Sequence, residues 1–86
     1  MVDKGKKVGI VTHYYDKISV GIIKLDQPIK PGDTLHFEGH RTNFDQVVNE
    51  IQFNHQPVVK TEKGQEVGIK VDQKVRENDQ VYLLIN

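Results

Sequence analysis

Apolar residues recur at every second position through most of this chain. In residues 6–15, KKVGIVTHYY, Val8, Ile10 and Thr12 fall on one face and Gly9, Val11 and His13 on the other. In KISVGIIKL, Ile18, Val20 and Ile22 alternate with Ser19, Gly21 and Ile23. Leu35 and Phe37 share a face in DTLHFEG, opposite His36 and Glu38. NFDQVVNEIQF sets Val47, Ile51 and Phe53 on one side with Asn49 among them. Val67, Ile69 and Val71 form a fifth series, and Val81, Leu83 and Ile85 a sixth. Period two and a wealth of Val and Ile predict six β-strands. The best helical alternative lies in FDQVVNEIQF, where Phe44, Val47, Val48 and Ile51 stand at helix-like offsets, but its flanks favour strand.

Turn chemistry separates the segments. Residues 15–17, YDK, are short enough to close a hairpin between the first two strands. Pro31-Gly32 reads as a type II turn, with φ fixed at the first central residue and free to be positive at the second. EGHRTN is another tight connection, and NHQPVVKTEKGQ is the longest link, with Pro57 opposing a central strand there. Asn78-Asp79 precedes the last strand, and Asn is the non-glycine residue that best tolerates a left-handed backbone. Six short strands in 86 residues predict one all-β domain over residues 1–86, a six-stranded closed β-barrel, because closure removes exposed edges.

Composition narrows the chemistry. There is no cysteine, so disulfides and thiolate metal sites are excluded. No apolar run at the N-terminus is long enough for a signal peptide or a membrane span, so a soluble, cytoplasmic protein is expected. Twelve basic residues balance twelve acidic ones. Residues 1–30 nevertheless hold Lys4, Lys6, Lys7, Lys17, Lys24 and Lys30 against Asp3, Asp16 and Asp26, enough for a modest basic face or for ordinary solvated lysines.

Catalytic patterns find little support. KGKKVG lacks the spacing of a phosphate-binding loop. His36 and Glu38 share a strand face and form a conceivable His–carboxylate pair, but a metal needs further converging ligands, and none is expected. Ser19, the single serine, has no recognisable triad context. No catalytic residue, metal site or cofactor is therefore expected. Aromatic and basic residues do interleave at two turns: His13, Tyr14, Tyr15 and Lys17 in one, His40, Arg41, Asn43 and Phe44 in the other. Such groups stack on bases and pair with phosphates, or else plug the ends of a barrel.

Gly21 in the second strand, IKPGDTLHFEG, EKGQEVGIKV and VRENDQVY follow one another in an order that resembles the β-barrel domain after the GTPase domain in translation factors such as elongation factor Tu. VTHYYDKISV, GHRTNF and KVREND are closest to small stand-alone elongation-factor-like proteins and to the C-terminal barrel of collagenase-like peptidase-family proteins. The resemblance covers nearly the whole chain and implies that the module ends with the closing strand after Asn78-Asp79. It does not carry aminoacyl-end binding with it, since Val20 and Glu66 stand where the translation factor has a threonine and an asparagine. What it implies is a non-enzymatic binding module that contacts RNA or a ribonucleoprotein; Tyr14, Tyr15, Lys17, His40 and Arg41 are the candidate contacts, chosen as exposed turn tips and not inherited from the resemblance. The alternative is a protein-interaction subunit partnering a GTPase or peptidase-like enzyme that lacks its own barrel.

Overall fold

The computed structural model describes residues 5–84. These form eight antiparallel strands, not six: β1 Lys6–Tyr15, β2 Val20–Leu25, β3 Thr34–Glu38, β4 Asn43–Val47, β5 Ile51–Phe53, β6 Gln56–Val58, β7 Glu66–Lys70 and β8 Gln80–Leu84. They build one sheet in the order β4-β3-β8-β1-β2-β7-β5-β6. The all-β expectation holds, but the barrel is not closed. Among the described residues no ladder joins β4 to β5, β6 or β7. Ile85, expected to end the last strand, lies outside the described residues.

One extra strand comes from the segment read as a single strand over 43–53, which forms β4 and β5, and the other, β6, from the link after it. Phe44 and Gln46 face inward on β4 and Val48 is buried just after it, which leaves Val47 52% exposed. Ile51 is buried again on β5, after a break at 48–50. Asn54 (φ 54°) and His55 (φ 64°) then form a two-residue turn with both central residues left-handed, the hairpin turn that matches strand twist. It pairs β5 with β6, Phe53 opposite Gln56 and Gln52 opposite Pro57. The pair closing such a turn is hydrogen-bonded, so the next position, Pro57, aims its nitrogen outward. A proline there removes an exposed donor and blunts the sheet edge.

The phase of the first hairpin also differs from simple alternation. Register shifts in β1 fall between Lys7 and Gly9 and between Val11 and His13. The first of these bulges lets Val8 and Val11, three apart, both be buried while Ile10 is only half-buried. On β2 the inner face is Gly21, Ile23 and Leu25, and Ile18 is 60% exposed in the turn. A Cβ on Gly21 would press on Val75 Cγ2 at 3.0 Å, so the missing side chain makes room for the buried Val75 of the β7–β8 loop.

One turn recurs three times, each just before a strand. In KPGD (30–33), EKGQ (62–65) and REND (76–79), the fourth residue's N–H donates to the first residue's carbonyl at 3.2, 3.3 and 3.1 Å. Its side-chain oxygen accepts from the first residue's N–H at 2.9, 2.9 and 2.8 Å. The third residue is left-handed, Gly32 at φ 96°, Gly64 at 91° and Asn78 at 74°. These turns launch β3, β7 and β8.

The inner face buries Val8, Val11, Ile23, Leu35, Phe37, Ile51, Val67, Ile69 and Val81 among others. Phe37 and Phe44 stack across β3 and β4 with ring centroids 4.9 Å apart. Gln46, buried on β4, donates from Nε2 to Lys70 O at 2.7 Å and accepts from Asp72 N at 2.8 Å. The free edge of β4 thus meets the exit of β7 through one side chain. Gln46→Ala leaves a carbonyl and an amide unpaired and is expected to cost about 1–3 kcal/mol in urea unfolding. Asn78→Ala should cost about 1–2 kcal/mol through its left-handed backbone, with Asn78→Gly close to neutral.

Candidate functional site

At one end of the sheet three loops meet. The first is the β1–β2 hairpin tip. His13 and Tyr15 make an edge contact, ring centroids 4.3 Å apart. Tyr14 lies partly buried against the core, while Tyr15 and Lys17 are exposed. The second is the β3–β4 tip, closed by Gly39 N to Thr42 O at 2.8 Å, with His40 and Arg41 exposed at its apex. Phe44, expected at this tip as a stacking residue, is instead buried in the core.

The third loop, residues 76–79, stands between the tips. It is docked on the β1 bulge, Asn78 N to Val11 O and Val11 N to Asp79 O, both 2.8 Å. Asp79 is buried, with Oδ2 on Arg76 N, and any Cβ on Gly39 would collide with its carboxylate. Arg76 Nη1 donates to Arg41 O and Thr42 Oγ1, both at 3.4 Å. Glu77 Oε1 lies 3.7 Å from His13 Nδ1. Arg76 and Glu77 therefore form a ridge between two open clefts. One is lined by Glu38, His40, Arg41, Asn78 and Asp79, the other by His13, Tyr14, Asp16 and Lys74.

Of the five residues expected to form a contact surface, His40 and Arg41 line one cleft and Tyr14 the other; Tyr15 and Lys17 stand beside them on the hairpin. Sequence reasoning missed Arg76, Glu77 and Lys74. The run KVREND was legible, but only as a turn before a strand. Together the groups alternate in sign: Arg41, Arg76 and Lys74 among Glu38, Glu77, Asp16 and Asp79. The described N-terminal lysines do not all gather at this end either. Lys17 is at this end, whereas Lys6, opposite Leu83, is at the other.

On the outer face the expected His36–Glu38 pair forms, Nε2 to Oε1 at 3.2 Å, and Asp45 on β4 takes Nδ1 at 2.5 Å. Both ring nitrogens are thus occupied by carboxylates. Among the described residues no group of three His, Asp or Glu side chains is placed to hold a metal ion. No helix of the described residues is long and apolar enough to cross a membrane.

At the opposite end of the strands lies a different surface. The β2–β3 loop and residues 59–65 are tied by Thr61, whose Oγ1 accepts from Ile29 N at 2.8 Å and donates to Ile29 O at 2.6 Å. A groove of about 560 Å³ runs over them, floored by Ile29 and Thr61 and walled by Pro28, Val59 and Leu83.

Asp79→Ala should destabilise by about 1–3 kcal/mol, since it strips a buried acceptor from an amide. Glu77→Ala, which removes only an exposed contact, should stay within about 0.5 kcal/mol. Urea unfolding of both variants distinguishes a structural from a merely solvated carboxylate.

No family model matches the chain. An uncharacterized protease of Methanocaldococcus jannaschii is 42% identical over 79 residues, which are 91% of this chain but 19% of that protein. The chain thus spans about a fifth of the length of this curated relative. Two crystal structures of the C-terminal domain of a Geobacillus thermoleovorans protein described as a U32 peptidase share the fold. The selenomethionine variant has a TM-score of 0.85 at 21% identity, covering 90% of this chain and 98% of that one. The other has 0.87 at 19% identity, covering 99% of each. The likeness is to a small all-β domain of peptidase-type proteins, and these neighbours show no translation-factor likeness.

Proposed function

We propose that this chain is a non-catalytic β module that docks on a peptidase-like catalytic domain. The observation that carries this reading is the mismatch in coverage: nearly all of this chain aligns with about a fifth of a protease, and its fold neighbours are a C-terminal domain rather than a whole enzyme. The chemistry of the chain supports it. There is no cysteine, and the single serine, Ser19, sits in the β1–β2 turn with a left-handed backbone (φ 55°). Catalysis then belongs to the partner, and the module contributes binding surface.

RNA docking through Tyr14, Tyr15, Lys17, His40 and Arg41 is the weaker reading. None of the three relatives named above is described as RNA-binding, and the alternating charges around Arg76 give a polyanion as much repulsion as attraction.

The test replaces the 79 matched residues of the M. jannaschii protease with this chain. Docking predicts one cooperative thermal transition that includes the module, above the melting temperature of the free chain. A module that melts separately, at its free-chain temperature, sinks the proposal. A fluorescent single-stranded RNA titrated with the free chain should show no saturable binding. Binding that falls steeply with salt and vanishes in Lys17→Glu/Arg41→Glu would reinstate the RNA reading.

A further inference from the structure

The groove between the β2–β3 loop and residues 59–65 has no part in the charged end of the molecule. We infer that it is the face on which the peptidase-like catalytic chain seats, and that the seated segment is apolar at its centre and acidic at its flanks. The inference rests on the docking reading above and adds the surface and the chemistry of the contact.

Three observations converge. First, the walls are apolar and in water. Val59 is 82% exposed, Pro28 is exposed, and Leu83 is only partly buried. A single exposed valine means little, but these three line one groove over the buried Ile29. The clefts at the other end are walled mainly by charged and polar groups. Val59 projects from the rim, where it meets a covering surface better than a small molecule lodged inside.

Second, the groove is built in advance. Two of the three recurrent turns, 30–33 and 62–65, flank it. Leu25 N to Gln65 O at 2.9 Å and Gly64 N to Leu25 O at 2.7 Å pin the second loop to the end of β2, and Thr61 pins it to Ile29. A partner would not have to order these loops, which lowers the cost of association.

Third, the rim is basic in a way that its own carboxylates do not answer. Lys30, Lys60 and Lys63 line it. Among the described residues none of their ammonium groups forms an ion pair. The two acidic residues on the rim, Asp33, whose carboxylate caps Lys30 N, and Glu62, offset two of these three charges and leave a net positive one. Lys6, opposite Leu83 in the β1–β8 ladder, adds a fourth cation beside the wall. Charge complementarity therefore selects an acidic partner segment, with apolar side chains to meet Val59, Pro28 and Leu83. Strand addition is the less favoured mode at the neighbouring sheet edge, since Pro57 leaves no donor there.

Hydrogen exchange locates the contact in the same protease chimera. Amides of residues 29–30 and 59–63 should exchange about tenfold more slowly in the chimera than in the free chain. Val59→Glu/Lys60→Glu/Lys63→Glu, all at exposed positions, should abolish that difference while the free variant melts as the parent does. Protection confined to residues 76–79 or the hairpin tips would overturn the groove and leave docking intact. No protection anywhere on the module would overturn docking itself. Sedimentation of the free chain over a range of concentrations provides the remaining arm. A dimer abolished by the triple variant makes a second copy the occupant and overturns the assigned partner. Should the chimera fail to fold, ¹⁵N NMR of the free chain titrated with a synthetic Asp-Glu-Leu-Phe-Glu-Asp peptide decides. Shifts confined to residues 29–30, 59–63 and 83 sustain the inference, and shifts elsewhere or none overturn it.

Discussion

A single sheet with no helix against it can bury an apolar face only by curling over that face, and everything else in this molecule follows from that constraint. Curling needs local bending, supplied by the two bulges of β1, the first of which brings Val8 inward together with Val11. It also leaves two edges. One is blunted by Pro57, and the other, β4, is brought against the exit of β7. There Gln46 satisfies a carbonyl and an amide that no ladder reaches. A buried amide side chain is costly unless both its ends are bonded, and here both are. Among the described residues no buried side-chain nitrogen or oxygen lacks a partner.

How much of this was legible follows from whether one strand obeyed one rule. β3 and β7 alternate cleanly, and Leu35, Phe37, Val67 and Ile69 were placed correctly. β1 and β2 alternate too, but bulges change the phase along β1, and period two carries no mark of where a residue is inserted. Val47 and Val48 illustrate the ambiguity. Two adjacent valines fit either face, and only the inward Gln46 and Phe44 decide that Val48 is the buried one. A glutamine at a core position reads as an outward residue unless the backbone groups it serves are known, and those lie 24 and 26 residues away. For the same reason a closed barrel was the natural expectation: closure was inferred from strand count, whereas the observed sheet meets itself through a side chain. Tips could be read from turn residues, so His40 and Arg41 were placed at one. Arg76 was not, because its partners are the carbonyl of Arg41 and the hydroxyl of Thr42, over thirty residues distant.

The residues that carried the resemblance to translation factors now have structural explanations. Gly21 makes room for Val75. KPGD, EKGQ and REND are one turn used three times, each with a left-handed third residue and a side-chain oxygen closing back on the first amide. All of these shape backbone, and none presents a group to a ligand. Motifs of this kind report that two chains fold alike and say little about what either binds. Where the resemblance touched function, at Val20 and Glu66, the residues departed from it. A likeness built from turns and a packing glycine fits a peptidase-type domain as well as a translation factor, so the surface has to decide between them. That surface has two unlike ends: one where opposite charges alternate around Arg76, and one where apolar walls stand beside lysines that form no ion pair among the described residues. A polyanion would require the first end to be uniformly basic, and it is not. A protein partner requires apolar area on a rigid frame with a charge to choose by, and the second end supplies all three.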